Sequence, residues 1–80
     1  MKTTLGEMNA GEHATVSGYA RGARRYREKL LAMGLTRGTR LIVQRRAPMG
    51  DPVEIEIRGF MLTLRKDEAA ALIVERGKAS

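Results

Sequence analysis

Two short segments of alternating apolar residues, joined at Arg58-Gly59, constrain the fold of this chain more than any other feature. The first, residues 53–58, reads VEIEIR, and the second, residues 60–65, reads FMLTLR. A period of two places alternate residues on opposite faces of an extended strand, whereas a helix face needs spacings of three and four. The glycine supports a tight reversal. The pattern predicts a β-hairpin whose inward residues are Val53, Ile55, Ile57, Phe60, Leu62 and Leu64.

The length of the chain and its lack of cysteine limit the number of domains and the kinds of chemistry that it can have. Its 80 residues predict one domain over residues 1–80, with a core over about residues 5–75 and a tail at 77–80. A domain of this size has a thin core and little room to enclose a substrate. The absence of cysteine excludes disulfides and thiol chemistry and favours a cytoplasmic location. No apolar run approaches the length of a membrane span, and the N-terminus lacks a signal sequence.

The remaining segments predict a small barrel. Strands are expected at residues 12–20, 39–46 and 72–75, and apolar spacings of three and four predict a helix over residues 23–33 that ends at Gly34. Single turns are expected near the N-terminus and in the Ala-rich stretch before the last strand. The fold class is therefore mainly β with one inserted helix, arranged as a small SH3-like, partly open barrel. An OB-like barrel is the competing topology.

Positive charge is concentrated in the central third of the chain. The net charge is +6, and residues 21–46 hold nine basic residues against the single acidic Glu28, a local balance of +8. Such a field favours acidic partners. Nucleic acid is one class of such partner, but proteins that bind single strands usually add stacking aromatics. Here the only aromatic residues are Tyr19, Tyr26 and Phe60.

No group of residues predicts catalysis or a cofactor. The one histidine, His13, lies beside Glu12, and two adjacent residues on a strand point to opposite faces, so they form at most a weak metal site. The outward carboxylates Glu54 and Glu56 fit cross-strand pairing with basic residues better than acid–base chemistry. No glycine-rich phosphate-binding motif occurs. We therefore predict no enzyme activity, no cofactor and no metal ligands.

The end of the predicted helix carries more apolar residues than one helical stripe can bury. Leu30, Leu31, Met33 and Leu35 follow one another within LLAMGL. Core packing on both sides of the helix end is the ordinary explanation. The alternative is that part of this corner is an exposed apolar patch with an arginine rim, which is typical of a docking surface. Met49, at a predicted loop tip, is a further candidate for contact with a partner, because the flexible side chain of methionine adapts to different surfaces.

Three stretches from residue 30 onward match, in order, the motifs of one known family. LLAMGLTRGTRLIV, residues 30–43, follows a Leu-x-x-Met/Leu-Gly-Leu-x-Pro-Gly pattern, with Arg37 where proline is usual. RRAPMGDPVEIEIRG, residues 45–59, follows an Ala-Pro-Leu-Gly-Asp-Pro pattern, with Met49 where leucine is common. FMLTLRKDEAAAL, residues 60–72, follows a Leu-x-Leu-Arg-x-x-[DE]-Ala pattern. The chain thus resembles the FeoA family, the small cytosolic proteins of bacterial ferrous iron uptake.

The resemblance implies an SH3-like barrel and a role beside FeoB, a membrane ferrous-iron transporter with a cytosolic GTP-binding region. It implies a non-enzymatic accessory protein that binds this region and is recruited through it to the inner face of the membrane. A small basic barrel that binds nucleic acid stays open as the alternative, as does weak self-association through an open barrel edge. The predicted partner-binding surface joins the helix corner to the loop tip and comprises Arg24, Arg25, Tyr26, Leu31, Met33, Leu35, Met49 and Asp51.

Overall fold

A computed structural model of the protein describes residues 2–77 as a six-stranded antiparallel sheet with two helices. The strands are β1 (Lys2–Thr4), β2 (His13–Tyr19), β3 (Arg40–Arg46), β4 (Val53–Ile57), β5 (Phe60–Leu64) and β6 (Leu72–Arg76). The helices are α1 (Arg24–Ala32) and α2 (Lys66–Ala71), and a single 3₁₀ turn spans Leu5–Glu7. Apart from Gly77, the predicted tail lies outside the described residues.

The sheet is open. Its strand order is β1-β6-β2-β3-β4-β5, so β1 and β5 form its two edges, and α1 is inserted between β2 and β3. This arrangement confirms the predicted class, mainly β with one inserted helix in a partly open architecture. The core draws on β2 to β6, on both helices and on the 3₁₀ turn.

The β4–β5 hairpin has the predicted register. Val53 pairs with Leu64, Ile55 with Leu62 and Ile57 with Phe60. The three β4 residues of these pairs are buried, and so is Leu64. Phe60 departs from the prediction, because its side chain is 67% exposed. It lies beside the hairpin turn at the start of the edge strand β5, whereas Leu64 at the other end of this strand is buried.

Two elements differ from the sequence prediction. The Ala-rich stretch forms the six-residue helix α2 rather than a single turn, and it buries Glu68, Ala69 and Ala71. Strand β1 was not predicted, because its sequence Lys-Thr-Thr has no apolar alternation. Its position comes from pairing with β6, where Thr3 lies opposite Val74.

Candidate partner-binding surface

The orientation of α1 follows from its apolar stripe. Leu30 is fully buried, and Tyr26 and Met33 pack against the core at spacings of four and three residues on either side. Gly34 ends the helix with φ of 95°, a left-handed conformation that glycine adopts without steric cost. The chain then turns inward, and Leu35 N donates to the carbonyl of Leu30 at 3.0 Å.

An ion pair joins α1 to α2. The ammonium group of Lys29 contacts Glu68 Oε2, and Glu68 Oε1 accepts a hydrogen bond of 2.9 Å from the backbone N–H of Arg65. Burial raises the pKa of the Glu68 carboxyl, but the hydrogen bonds from Lys29 and Arg65 outweigh it, so this pKa lies below its ordinary value of 4.5. The ionised carboxylate therefore holds the two helices together.

We expect Glu68→Gln to destabilise the domain by about 2 kcal/mol at pH 7, because it removes a charged hydrogen-bond partner from a buried position. Since folding lowers this pKa, the contribution of Glu68 is present above pH 4.5 and is lost as the pH falls through the folded-state value. Urea unfolding of the wild type and of Glu68→Gln between pH 3 and 7 should thus show two unfolding free energies that converge in acid.

Glu28→Gln is the control, at an exposed position on α1, and it should change the unfolding free energy little at any pH. Equal effects of the two substitutions would contradict the role of Glu68.

Basic side chains cover the region where α1 meets β2. The guanidinium carbon of Arg27 lies 5.7 Å from the ring centroid of Tyr19, a cation–π contact. The Tyr19 hydroxyl donates a 2.6 Å hydrogen bond to the carbonyl of Leu35. Arg37 lies across the glycine of β2, with its guanidinium nitrogens 3.7 Å from the position that a Cβ of Gly18 would take. The positive field predicted from the sequence is therefore presented beside the end of α1.

The structure divides the predicted helix-corner residues into three groups. Arg24 and Arg25 are exposed, and Leu31 is exposed to 39%. Tyr26 and Met33 are partly buried against the core, so each presents only part of its side chain. The prediction that Leu35 contributes to the surface is wrong, because its side chain is fully buried.

The loop between β3 and β4, residues 47–52, is closed by its own backbone. The N–H of Gly50 donates to the carbonyl of Ala47 at 2.7 Å, and the N–H of Ala47 donates to the carbonyl of Pro52 at 3.1 Å. Met49 stands at the tip with 83% of its side chain exposed. Asp51 Oδ1 accepts a 3.2 Å hydrogen bond from the backbone N–H of Lys66, at the start of α2.

The loop tip and the helix corner are connected only indirectly. Both Asp51 and Lys29 contact the first turn of α2. The end of α1, however, packs at the other end of β4, where Ile57 Cδ1 lies 3.7 Å from the Cβ position of Gly34. Within residues 2–77, no hydrogen bond or ion pair joins the loop directly to α1. The predicted surface is therefore two patches bridged by α2.

The structure adds an apolar residue that the sequence did not assign to the surface. Phe60 is paired with Ile57, so its exposed ring lies at the same end of β4 as the end of α1. Its neighbour Met61 is exposed to 54% on the same edge strand. We call the group formed by Leu31, Met33 and Phe60 the apolar corner. The hairpin pattern alone could not reveal it, because it gives the face of a residue but not whether its strand is an edge.

Neither a metal cluster nor a membrane span is found in the described part of the chain. Over residues 2–77, no three histidine or acidic side chains gather where they could hold a metal ion. His13 is half-buried on β2. None of the helices described between these limits is long and apolar enough to cross a bilayer.

A six-stranded open barrel with an exposed apolar corner and a basic helix defines a small binding module. The FeoA domain model matches residues 3–76. The chain belongs to the FeoA domain family.

Comparison with known proteins supports this assignment. A Porphyromonas gingivalis fusion of Fe(2+) transport protein A with the Fe(2+) transporter FeoB is 32% identical over 71 residues, which are 89% of this chain. The chain spans only 8% of the length of that relative. The solution structure of a FeoA-like protein from Clostridium acetobutylicum is 34% identical and superposes with a TM-score of 0.87, covering 99% of this chain and 91% of the other.

A more distant structure identifies the barrel type. The zinc complex of FeoA from Stenotrophomonas maltophilia, a prokaryotic SH3 domain protein, superposes with a TM-score of 0.79 over 98% of this chain and 99% of the other. At 19% identity this likeness concerns the fold alone. The predicted SH3-like architecture is confirmed.

Proposed function

We propose that this protein is a non-enzymatic accessory protein of ferrous iron uptake that binds the cytosolic region of a FeoB transporter. The observation that carries the proposal is the Porphyromonas gingivalis relative, in which a FeoA segment and a FeoB transporter form one chain. A covalent link keeps two modules at high effective concentration. Binding to the cytosolic region of FeoB would hold this domain in the cytoplasm, at the inner face of the membrane.

The apolar corner supports the proposal as the contact site. Leu31 and Phe60 are large apolar residues exposed on an 80-residue domain, and exposed apolar groups beside basic side chains are typical of interfaces. Arg24 and Arg25 lie on the same helix as Leu31 and would steer an acidic partner. Met49 and Asp51 form a second predicted contact at the other patch.

The direct test is a titration of the purified protein into the cytosolic GTP-binding region of FeoB from the same organism. We expect saturable one-to-one binding that weakens with added salt, because charged side chains surround the apolar corner. Repeating the calorimetry with GDP and with a GTP analogue shows whether the nucleotide state of FeoB matters. The proposal would be rejected if calorimetry gave no heat of binding and NMR gave no shift of the amide signals at high protein concentration.

Nucleic acid remains the alternative because of the basic residues between positions 21 and 46. Tyr19 and Tyr26 are partly buried against the core, so they offer little stacking surface to bases. An oligonucleotide titration in the same buffer distinguishes the two functions. Tight binding of single-stranded RNA or DNA with a steep salt dependence, together with no binding to FeoB, would favour the alternative.

A further inference from the structure

A cavity of about 290 Å³ opens on the outer face of the sheet, and its lining includes none of the predicted partner-binding residues. The register of β2, β3 and β4 explains its shape. Ile42 lies between His13 and Glu56, and Thr15 lies opposite Arg40. Arg58 follows the last residue of β4 and lines the same cavity as Arg40. The lining side chains thus form two rows on one face, His13, Ile42 and Glu56 in the first and Thr15, Arg40 and Arg58 in the second.

The two arginines of the cavity have no counter-ion within the described residues. Arg40 and Arg58 are both exposed, and over residues 2–77 neither makes a side-chain hydrogen bond or an ion pair. The Glu56 carboxylate accepts a 2.7 Å hydrogen bond from Gln44 Nε2 instead. Two positive side chains that line one cavity repel each other. An anion bound between the guanidinium groups would remove that repulsion.

The backbone of Arg58 gives independent support. Arg58 has φ of 48° and Gly59 has φ of 82°, so two consecutive residues of this reversal are left-handed. Such a turn favours asparagine or glycine, and a residue with a long side chain costs about 1 kcal/mol there. A strained arginine that lines a cavity is a candidate for a functional side chain.

We propose that this cavity binds a small ligand that carries a carboxylate or phosphate group on an apolar body. Two guanidinium groups can hold an oxyanion through paired hydrogen bonds. Ile42, at the centre of its row, supplies an apolar surface beside the anion site. With a volume of about 290 Å³, the cavity fits a compact ligand rather than a nucleic acid strand.

The test is a set of NMR titrations of the ¹⁵N-labelled protein at constant ionic strength. The probes are phenyl phosphate, inorganic phosphate, benzoate and acetate, with sodium chloride as the reference. We expect saturable shifts confined to the amides around Thr15, Arg40 and Ile42. The aromatic probes should bind about tenfold more tightly than inorganic phosphate and acetate, because their rings contact Ile42. Comparison of phenyl phosphate with benzoate shows which oxyanion the site prefers.

Three variants make the test specific. Arg40→Gln should weaken phenyl phosphate binding by about tenfold or more. Arg58→Asn should weaken it similarly while raising the urea midpoint of unfolding, because asparagine tolerates the left-handed conformation. Arg45→Gln removes the same charge from the same strand outside the cavity, and it should leave the affinity within about twofold. Shifts that do not saturate, or equal losses in all three variants, would overturn the proposal.

Discussion

Leu31→Asp is expected to weaken binding to the cytosolic region of FeoB by about thirtyfold or more while the domain stays folded. Leu31 is the exposed leucine of α1, and an interface that covers it would bury the introduced carboxylate without a partner. The same carboxylate would also weaken the attraction of the neighbouring arginines for an acidic surface. Calorimetry gives the affinity, and the amide spectrum of the variant shows whether the fold is intact.

Ala32→Asp is the matched control for this substitution. It introduces the same charge one residue further along α1, at an exposed position about 100° around the helix. The two variants share any penalty from a negative charge near the end of the helix. Only Leu31→Asp should lose binding. Equal losses would show that charge alone governs the association, and an unfolded Leu31→Asp variant would show that the residue supports the core.

The strand pattern was predictable because burial on one face of a sheet imposes a period of two. The three inward residues of β4 are Val53, Ile55 and Ile57, as the sequence predicts. The helix was predictable for a similar reason, because its apolar stripe matches one face. What the pattern could not give was the position of each element in the sheet. Phe60 has the periodicity of a core residue, yet its place beside the turn, at the end of the edge strand β5, leaves it exposed, whereas Leu64 on the same strand is buried.

The candidate surface shows the same limit at the end of α1. Leu31 and Leu35 are one helical turn apart in sequence, and both belong to the same motif. Gly34 ends the helix between them, so the chain turns and carries Leu35 inward. The sequence predicts the end of the helix at Gly34 but not the direction in which the chain continues after a left-handed glycine. The partner-binding roles of Arg24, Arg25, Tyr26, Leu31, Met33, Met49 and Asp51 stay predictions.

Leu35→Ala should cost about 3 kcal/mol of unfolding free energy, within the range of about 2–5 kcal/mol for truncating a fully buried leucine. The substitution leaves a cavity beneath the end of α1, and the hydrogen bond from Tyr19 to the backbone carbonyl of residue 35 remains. In a domain of this size the loss corresponds to a fall of at least about 10 °C in the midpoint of thermal unfolding. Urea unfolding at 25 °C measures the free energy directly.

Leu31→Ala provides the comparison, because it removes the same atoms from the same corner of the molecule. Its side chain already contacts water, so the substitution should cost less than about 1 kcal/mol. The two variants should therefore behave in opposite ways: Leu35→Ala loses stability but, where it is folded, binds FeoB normally, whereas Leu31→Ala keeps its stability and binds weakly. If Leu35→Ala were as stable as the wild type and deficient in binding, Leu35 would belong to the contact surface, as the sequence predicted.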